Sequence, residues 1–150
     1  RHPEILFIIS AGNNGVDLAE LPIYPAVNAL DNAITVTSTM LDGKLAEGSN
    51  FGKAVDIGLP AEDLLAIGVN AHQRMMSGSS FAVPKLTAYV ICISNAATPN
   101  RLTGEALAQA VKTSLLPAAS GAGYGLFLSD SKLDTTCKPY HQDTKTNVKD

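Results

Sequence analysis

The stretch of sequence that organises the chain is Ser77-Gly78-Ser79-Ser80-Phe81-Ala82-Val83-Pro84. It places hydroxyl side chains between a glycine and an apolar run long enough for a buried helix. A serine where a loop becomes a helix lies among free backbone N–H groups, at the positive end of the helix dipole. Ser80 is therefore a candidate nucleophile for a reaction that passes through an oxyanion. The alternative is that Ser79 or Ser80 only caps the helix, since serine is a favoured N-cap.

Apolar runs elsewhere in the chain predict an α/β fold. Ile5-Leu6-Phe7-Ile8-Ile9 is typical of a strand that is buried on both faces of a parallel sheet, and residues 33–37 and 54–57 predict two further strands. Residues 81–94 predict a buried central helix, and residues 103–115 a second helix that a proline ends. Loops rich in Asn, Gly, Asp and Pro separate these elements.

Length and composition limit the class of protein. The chain has 150 residues, 45% of them hydrophobic, which is the size of one domain. A net charge of −3 without a basic cluster indicates neither a nucleic acid nor an anionic membrane as a partner. The longest apolar runs, residues 5–11 and 86–93, are far shorter than the roughly 20 residues that span a bilayer. Because a strand follows Arg1 so closely, we expect the chain to begin inside a larger domain.

The two cysteines, Cys92 and Cys137, permit at most one disulfide. Cys92 lies in an apolar segment, Tyr89-Val90-Ile91-Cys92-Ile93, which favours a buried free thiol. No cysteine or histidine pattern has the spacing of a zinc site, and we identify no metal-ligating residues.

Four blocks of the chain, in order, resemble one enzyme family. The stretch from Gly78 to Pro84 resembles the Gly-Thr-Ser-hydrophobe-Ala-x-Pro nucleophile motif of the subtilisin-like serine proteases (subtilases), although Ser79 replaces the Thr and Lys85 follows where His is frequent. The other three blocks are Ser10-Ala11-Gly12-Asn13-Asn14-Gly15, Tyr24-Pro25-Ala26 with Ile34-Thr35-Val36, and Ser49-Asn50-Phe51-Gly52 with Val55-Asp56-Ile57. One block would be a weak signal, but four in the family's order are specific.

The resemblance implies the fold and its limits. It implies an α/β domain that is part of a subtilisin-like three-layer fold, with a mainly parallel central sheet and helices on both faces. Residues 1–128 would form the C-terminal part of the catalytic domain, closed by a glycine-rich turn at residues 120–125. Residues 129–150 are polar and contain few aliphatic side chains, so we expect a tail or loosely packed extension there.

The resemblance also assigns roles to residues. Ser80 would be the nucleophile, and Asn13 would donate a side-chain hydrogen bond to the oxyanion. A carboxamide at the carboxyl end of a buried strand suits that role, although Asn13-Asn14-Gly15 also reads as a simple turn. By resemblance, Ser10, Ala11 and Gly12 would form one wall of the substrate pocket, and Ile23 would make that pocket shallower.

The general base is missing from these blocks. His2, His72 and His141 are the only histidines, and none lies in a sequence like the family's Gly-His-Gly-Thr-His-Val block. In subtilisin the triad follows the chain order Asp, His, Ser. We therefore expect the Asp and His on an upstream half of the catalytic domain, in the same precursor or a separate chain, and a structural role for Asp56.

The sequence thus predicts a serine endopeptidase that forms an acyl-enzyme on Ser80 and acts on polypeptides. One alternative is an inactive subtilase-like scaffold or interaction domain. Another is a nucleotide-binding module built on residues 10–15, but these lack the Gly-x-Gly-x-x-Gly spacing. We identify no cofactor. Structural calcium and a secreted or periplasmic location are implied by the resemblance alone.

Overall fold

A computed structural model describes residues 2–96 and 101–137. Its main sheet has five strands in the order β1-β2-β3-β7-β6. These strands are β1 (Phe7–Ser10), β2 (Ala33–Thr39), β3 (Ile57–Pro60), β6 (Leu116–Pro117) and β7 (Leu126–Phe127). The pairs β1–β2, β2–β3 and β3–β7 are parallel, and β6 runs antiparallel to β7. The predicted α/β class with a mainly parallel sheet is confirmed.

A hairpin, three α-helices and a short 3₁₀-helix at Val69–Ala71 complete the described residues. The hairpin consists of β4 (Leu64–Ile67) and β5 (Gln73–Met76) and lies between β3 and the first helix. The helices are α1 (Ser79–Ala96), α2 (Gly104–Thr113) and α3 (Asp130–Cys137). None of them, within the ranges given above, combines the length and apolarity that crossing a bilayer requires.

The strand β2 lies between β1 and β3, and all of its residues are buried. Ile34 and Val36 lie in the main core, to which α1 and α2 contribute. On the opposite face, the Thr35 hydroxyl donates to the Ala26 carbonyl at 3.0 Å and the Thr37 hydroxyl to the Asn50 carbonyl at 2.6 Å. In the part of the chain described, helices therefore cover one face of the sheet and loops cover the other.

The third strand lies later than the sequence predicts. It spans Ile57–Pro60 rather than residues 54–57, and so includes a glycine and a proline, which weaken a strand pattern. A glycine is required at position 58 because the ring of Tyr124 packs on it, and a Cβ at this position would lie 2.5 Å from the ring. A tertiary contact therefore overrides the local sequence signal.

The first strand is not buried on both faces as predicted. Phe7 remains 42% exposed, and Ile8, Ile9 and Ser10 are only half-buried. The reason is that β1 lies at an edge of the sheet, where β2 is its single neighbour among the described strands. The outer edge of this apolar strand therefore has no partner among the described strands.

The two predicted helices are present, with shifted bounds. The first begins at Ser79 rather than Phe81, which places Ser80 in its first turn, and it is buried on one side while Ile91 is 54% exposed on the other. The second ends at Thr113, before the predicted Leu115. Its buried side includes Leu107 and Val111.

We expected a tail or loosely packed extension from residue 129. This prediction is wrong for residues 130–137, which form α3 and pack against α1. Residues 138–150 lie outside the described part. The free thiol expected at Cys92 is also wrong, because Cys92 forms a disulfide with Cys137. This bond fastens α3 to α1 although the α3 sequence has few aliphatic side chains, which explains why composition alone missed the helix.

We predict that the disulfide contributes substantially to stability. Replacing both cysteines by serine should lower the free energy of unfolding by about 2–4 kcal/mol, because the bond closes a loop between residues that are 45 apart in sequence. Thermal or denaturant unfolding of the intact protein, with and without reductant, measures the loss. Equal stability of wild type and double variant would contradict this prediction, and reductant should destabilise only the wild type.

Candidate active site

The candidate site lies where the end of β1 meets the start of α1. The Asn13 side-chain oxygen accepts hydrogen bonds from the Ser79 backbone N–H and the Ser79 hydroxyl, both at 2.9 Å. A backbone N–H can only donate, so the contact fixes which end of the carboxamide faces the helix. The oxygen of Asn13 faces Ser79, and the N–H₂ group is therefore turned the other way.

Ser79 is the centre of a wider set of contacts. It is fully buried, and its hydroxyl lies 2.7 Å from the Ser10 hydroxyl. The Gly12 backbone N–H donates to the same Ser79 oxygen at 3.2 Å. The sequence pattern marked Ser79 only as a capping candidate, whereas its side chain joins α1 to the loop that follows β1.

Ser80 has the opposite environment to its neighbour. Consecutive residues of a helix point about 100° apart, because one turn takes 3.6 residues. With Ser79 facing inward, Ser80 is exposed in the first turn of α1, where backbone N–H groups lack partners within the helix. The structure thus places Ser80 next to the residue that holds Asn13.

Gly78, the residue before the helix, allows this close approach. Its φ is +124°, a region that favours glycine, and a Cβ would lie 3.1 Å from both the nitrogen and the oxygen of the Asn13 carboxamide. Its N–H also donates to the Ala61 carbonyl at 2.9 Å, just beyond β3. The glycine of the motif therefore lets the carboxamide pack against the chain immediately before Ser79.

Asn50 holds the loop that carries Asn13. Its side chain is fully buried; the oxygen accepts from the N–H groups of Asn14 at 2.9 Å and Val16 at 3.2 Å, and the nitrogen donates to the Ala11 carbonyl at 2.8 Å. Sequence reasoning quoted Asn50 in a motif block but gave it no role. A buried asparagine has no periodic signature, and only the family block pointed to this position.

The predicted pocket residues separate into two groups. Ser10 and Gly12 belong to the polar contacts around Ser79, and Gly12 has a φ of +96° with no room for a Cβ beside the Asn50 carboxamide. Ala11 is buried in a small apolar cluster with Leu18, Ala26 and Val55, and half-buried Ile23 packs on that cluster. The structure thus brings Ala11, just after β1, and Ile23 into one region.

No described histidine lies at the candidate site. His2 pairs with Glu4 at 3.2 Å and is exposed, and exposed His72 lies in the turn between β4 and β5. His141 lies outside the described residues. Asp56 is engaged structurally, since it accepts from the Thr35 N–H at 2.9 Å and from the Lys112 ammonium at 2.7 Å. Within residues 2–96 and 101–137, no group of three or more His, Cys, Asp or Glu side chains could hold a metal ion.

Comparisons with known proteins identify the family and the fold. The model of the Subtilase family (Peptidase S8) matches residues 1–148. Alkaline protease 1 of Aspergillus clavatus is 34% identical over 104 residues, which cover 66% of this chain and 25% of that protein. Among solved structures, the A-subunit of the AB5 toxin from E. coli gives a TM-score of 0.71 at 22% identity, over 91% of this chain and 52% of that one. A cold-adapted subtilisin-like serine proteinase gives 0.66 at 21% identity, over 84% and 45%.

The chain spans about a quarter of the length of the curated relative quoted above and about half of the structural neighbours. The family match nevertheless covers nearly all of its residues, and the solved structures share its fold. This chain belongs to the subtilase family.

Proposed function

We propose that this chain is the serine-bearing part of a subtilisin-like endopeptidase that hydrolyses peptide bonds in polypeptides. The observation that carries the proposal is the contact between Asn13 and Ser79. The contact ties the Asn13 oxygen to Ser79, the residue that precedes Ser80, and leaves the Asn13 N–H₂ group turned away from Ser79 as a donor for substrate. Family membership supports the same chemistry.

In the proposed reaction, the Ser80 hydroxyl attacks the carbonyl carbon of the scissile peptide bond. Its proton passes to a general base, and the carbonyl oxygen becomes an oxyanion. The Asn13 N–H₂ group and the Ser80 backbone N–H donate to that oxygen, and the positive end of the α1 dipole adds to the stabilisation. Collapse of this intermediate releases the amine and leaves an acyl-enzyme on Ser80, which water then hydrolyses.

The base and its orienting acid would come from an upstream half of the domain. Two observations support this: neither His2 nor His72 has a side-chain hydrogen bond to Ser80 or to the residues around it, and β1 has one edge without a partner among the described strands, with Phe7 exposed there. An added strand on that edge would bury Phe7 and extend the sheet. We propose that such a segment supplies both the Asp and the His.

The same region would bind the substrate residue before the scissile bond. Ser10, Ala11 and Gly12 at the end of β1 would form one wall, and Ile23 would restrict the depth of the pocket. The disulfide supports a secreted or periplasmic protein, because such bonds persist in oxidising compartments. The described residues give no support for a bound cofactor, and we propose none.

We predict that a fluorophosphonate probe labels Ser80 in the intact protein. Such probes report an activated serine, so Ser80→Ala should abolish both labelling and peptidase activity. Ser131→Ala is the matched control, because Ser131 is an exposed serine in the first turn of α3 and its loss should change neither reading. An intact protein without labelling or activity would instead favour the inactive scaffold.

We predict that Asn13→Ala lowers kcat by about 10²–10³-fold, the size of effect known for an oxyanion-hole asparagine in subtilisin. KM should change much less, because the hydrogen bond forms with the transition state rather than with the bound substrate. Steady-state kinetics on a peptide substrate measure both constants.

The control for this prediction is Asn14→Ala, which removes an exposed carboxamide one residue further along the same loop. Its kcat should stay close to that of the wild type. Equal losses in the two variants would show that the loop as a whole matters and would refute the role of Asn13.

A further inference from the structure

We propose that Lys85 is a positioning residue for Ser80, because its ammonium group fastens the start of α1 to the end of β3 and to α3. The inference rests on the proposed role of Ser80 as the nucleophile. The Lys85 ammonium binds Pro60 and Asp130 rather than Ser80, so Lys85 acts through the helix that carries Ser80.

The contacts of Lys85 join three elements. Its ammonium donates to the Pro60 carbonyl at 2.6 Å and also bonds the Asp130 carboxylate. Pro60 is the last residue of β3, and Asp130 is the first residue of α3. The Lys85 side chain is only 19% exposed, so these acceptors replace most of the water that an ammonium group would otherwise bind.

The end of β3 therefore holds α1 on both sides of Ser80. Before the nucleophile, the Gly78 N–H donates to the Ala61 carbonyl at 2.9 Å. After it, Lys85 donates to the carbonyl of Pro60, the residue that precedes Ala61. Two consecutive carbonyls, one at the last residue of β3 and one just beyond it, thus hold the segment that contains Ser80.

This external attachment matters because the helix is weakened at the same point. Pro84 lies inside α1 and has no N–H, so the Ser80 carbonyl lacks its usual hydrogen-bond partner four residues later. The turn that starts at Ser80 therefore has one restraint fewer than a regular helix. The Lys85 contact lies one residue beyond Pro84 and supplies a restraint from outside the helix.

The counter-charge for Lys85 is itself held in place. Asp130 begins α3, and Cys137 at the other end of α3 is bonded to Cys92 of α1. The short helix is thus attached to α1 at both ends, by an ion pair and by a disulfide. This arrangement keeps Asp130 within reach of the ammonium group.

Misplacing a nucleophile by a fraction of an ångström lowers the rate of reaction more than it weakens substrate binding. In the intact protein, Lys85→Met should lower kcat about 10-fold or more while KM stays within about twofold. The rate of fluorophosphonate labelling of Ser80 should fall by a similar factor. Asp130→Asn keeps the Pro60 contact possible and should give a smaller loss of the same kind.

The matched control is Lys112→Met. It removes another partly buried ion pair, to Asp56, with a lysine side chain that is 27% exposed. That pair joins α2 to the strand region around β2 and makes no contact with the segment at Ser80. Lys112→Met should therefore lower the midpoint of thermal unfolding but leave kcat and the labelling rate close to wild type below that midpoint.

The results separate the two proposals. If Ser80 is not labelled in the wild type, the proposed function fails, and the role of Lys85 fails with it. If Ser80 is labelled at the same rate in the wild type and in Lys85→Met, only the role of Lys85 is refuted. Equal loss of rate in Lys85→Met and Lys112→Met, in proportion to their losses of stability, would also refute it.

Discussion

The hydrogen bonds from Ser79 to the Asn13 carboxamide oxygen are the interactions on which the candidate site depends. They join the end of one strand to the start of a helix across 66 residues of sequence. Each is a modest interaction, worth about 0.5–1.5 kcal/mol net. Their importance lies in the orientation that they impose. Together they determine that the oxygen of the Asn13 carboxamide faces the helix, and that Ser79 faces inward while Ser80 faces outward.

Such weak contacts can define a site only if both partners are already held by stronger constraints. On the strand side, buried Asn50 uses its oxygen for two backbone N–H groups and its nitrogen for one carbonyl, all in the loop that carries Asn13. On the helix side, carbonyls at the end of β3 bind Gly78 and Lys85. The parallel sheet connects the two sides, because β2 lies between β1 and β3. The rigidity of the candidate site is therefore a property of the sheet.

What the sequence could predict follows from how local each signal is. The positions of Asn13 and Ser80 at element ends could be read from short patterns, since a strand end and a helix start have local signatures. Asn50 could not be assigned a role, because its partners come from a loop more than 30 residues away. The predicted bounds of the third strand were wrong because Tyr124, which is distant in sequence, packs on Gly58 and makes a glycine favourable inside that strand. The helix α3 was not predicted because its sequence is polar and its stability comes from packing on α1 and from the disulfide.

The exposed edge of β1 links the fold to the proposed chemistry. Asn13 follows the one strand of the parallel set whose outer edge has no partner among the described residues. A segment that pairs with this edge would bury Phe7 and would also restrain the backbone that leads to Asn13. The pairing segment would then have a structural role in addition to supplying the catalytic Asp and His. By pairing with β1 it would also hold the loop that carries Asn13, the proposed oxyanion donor. The same step that extends the sheet would therefore bring the catalytic groups together.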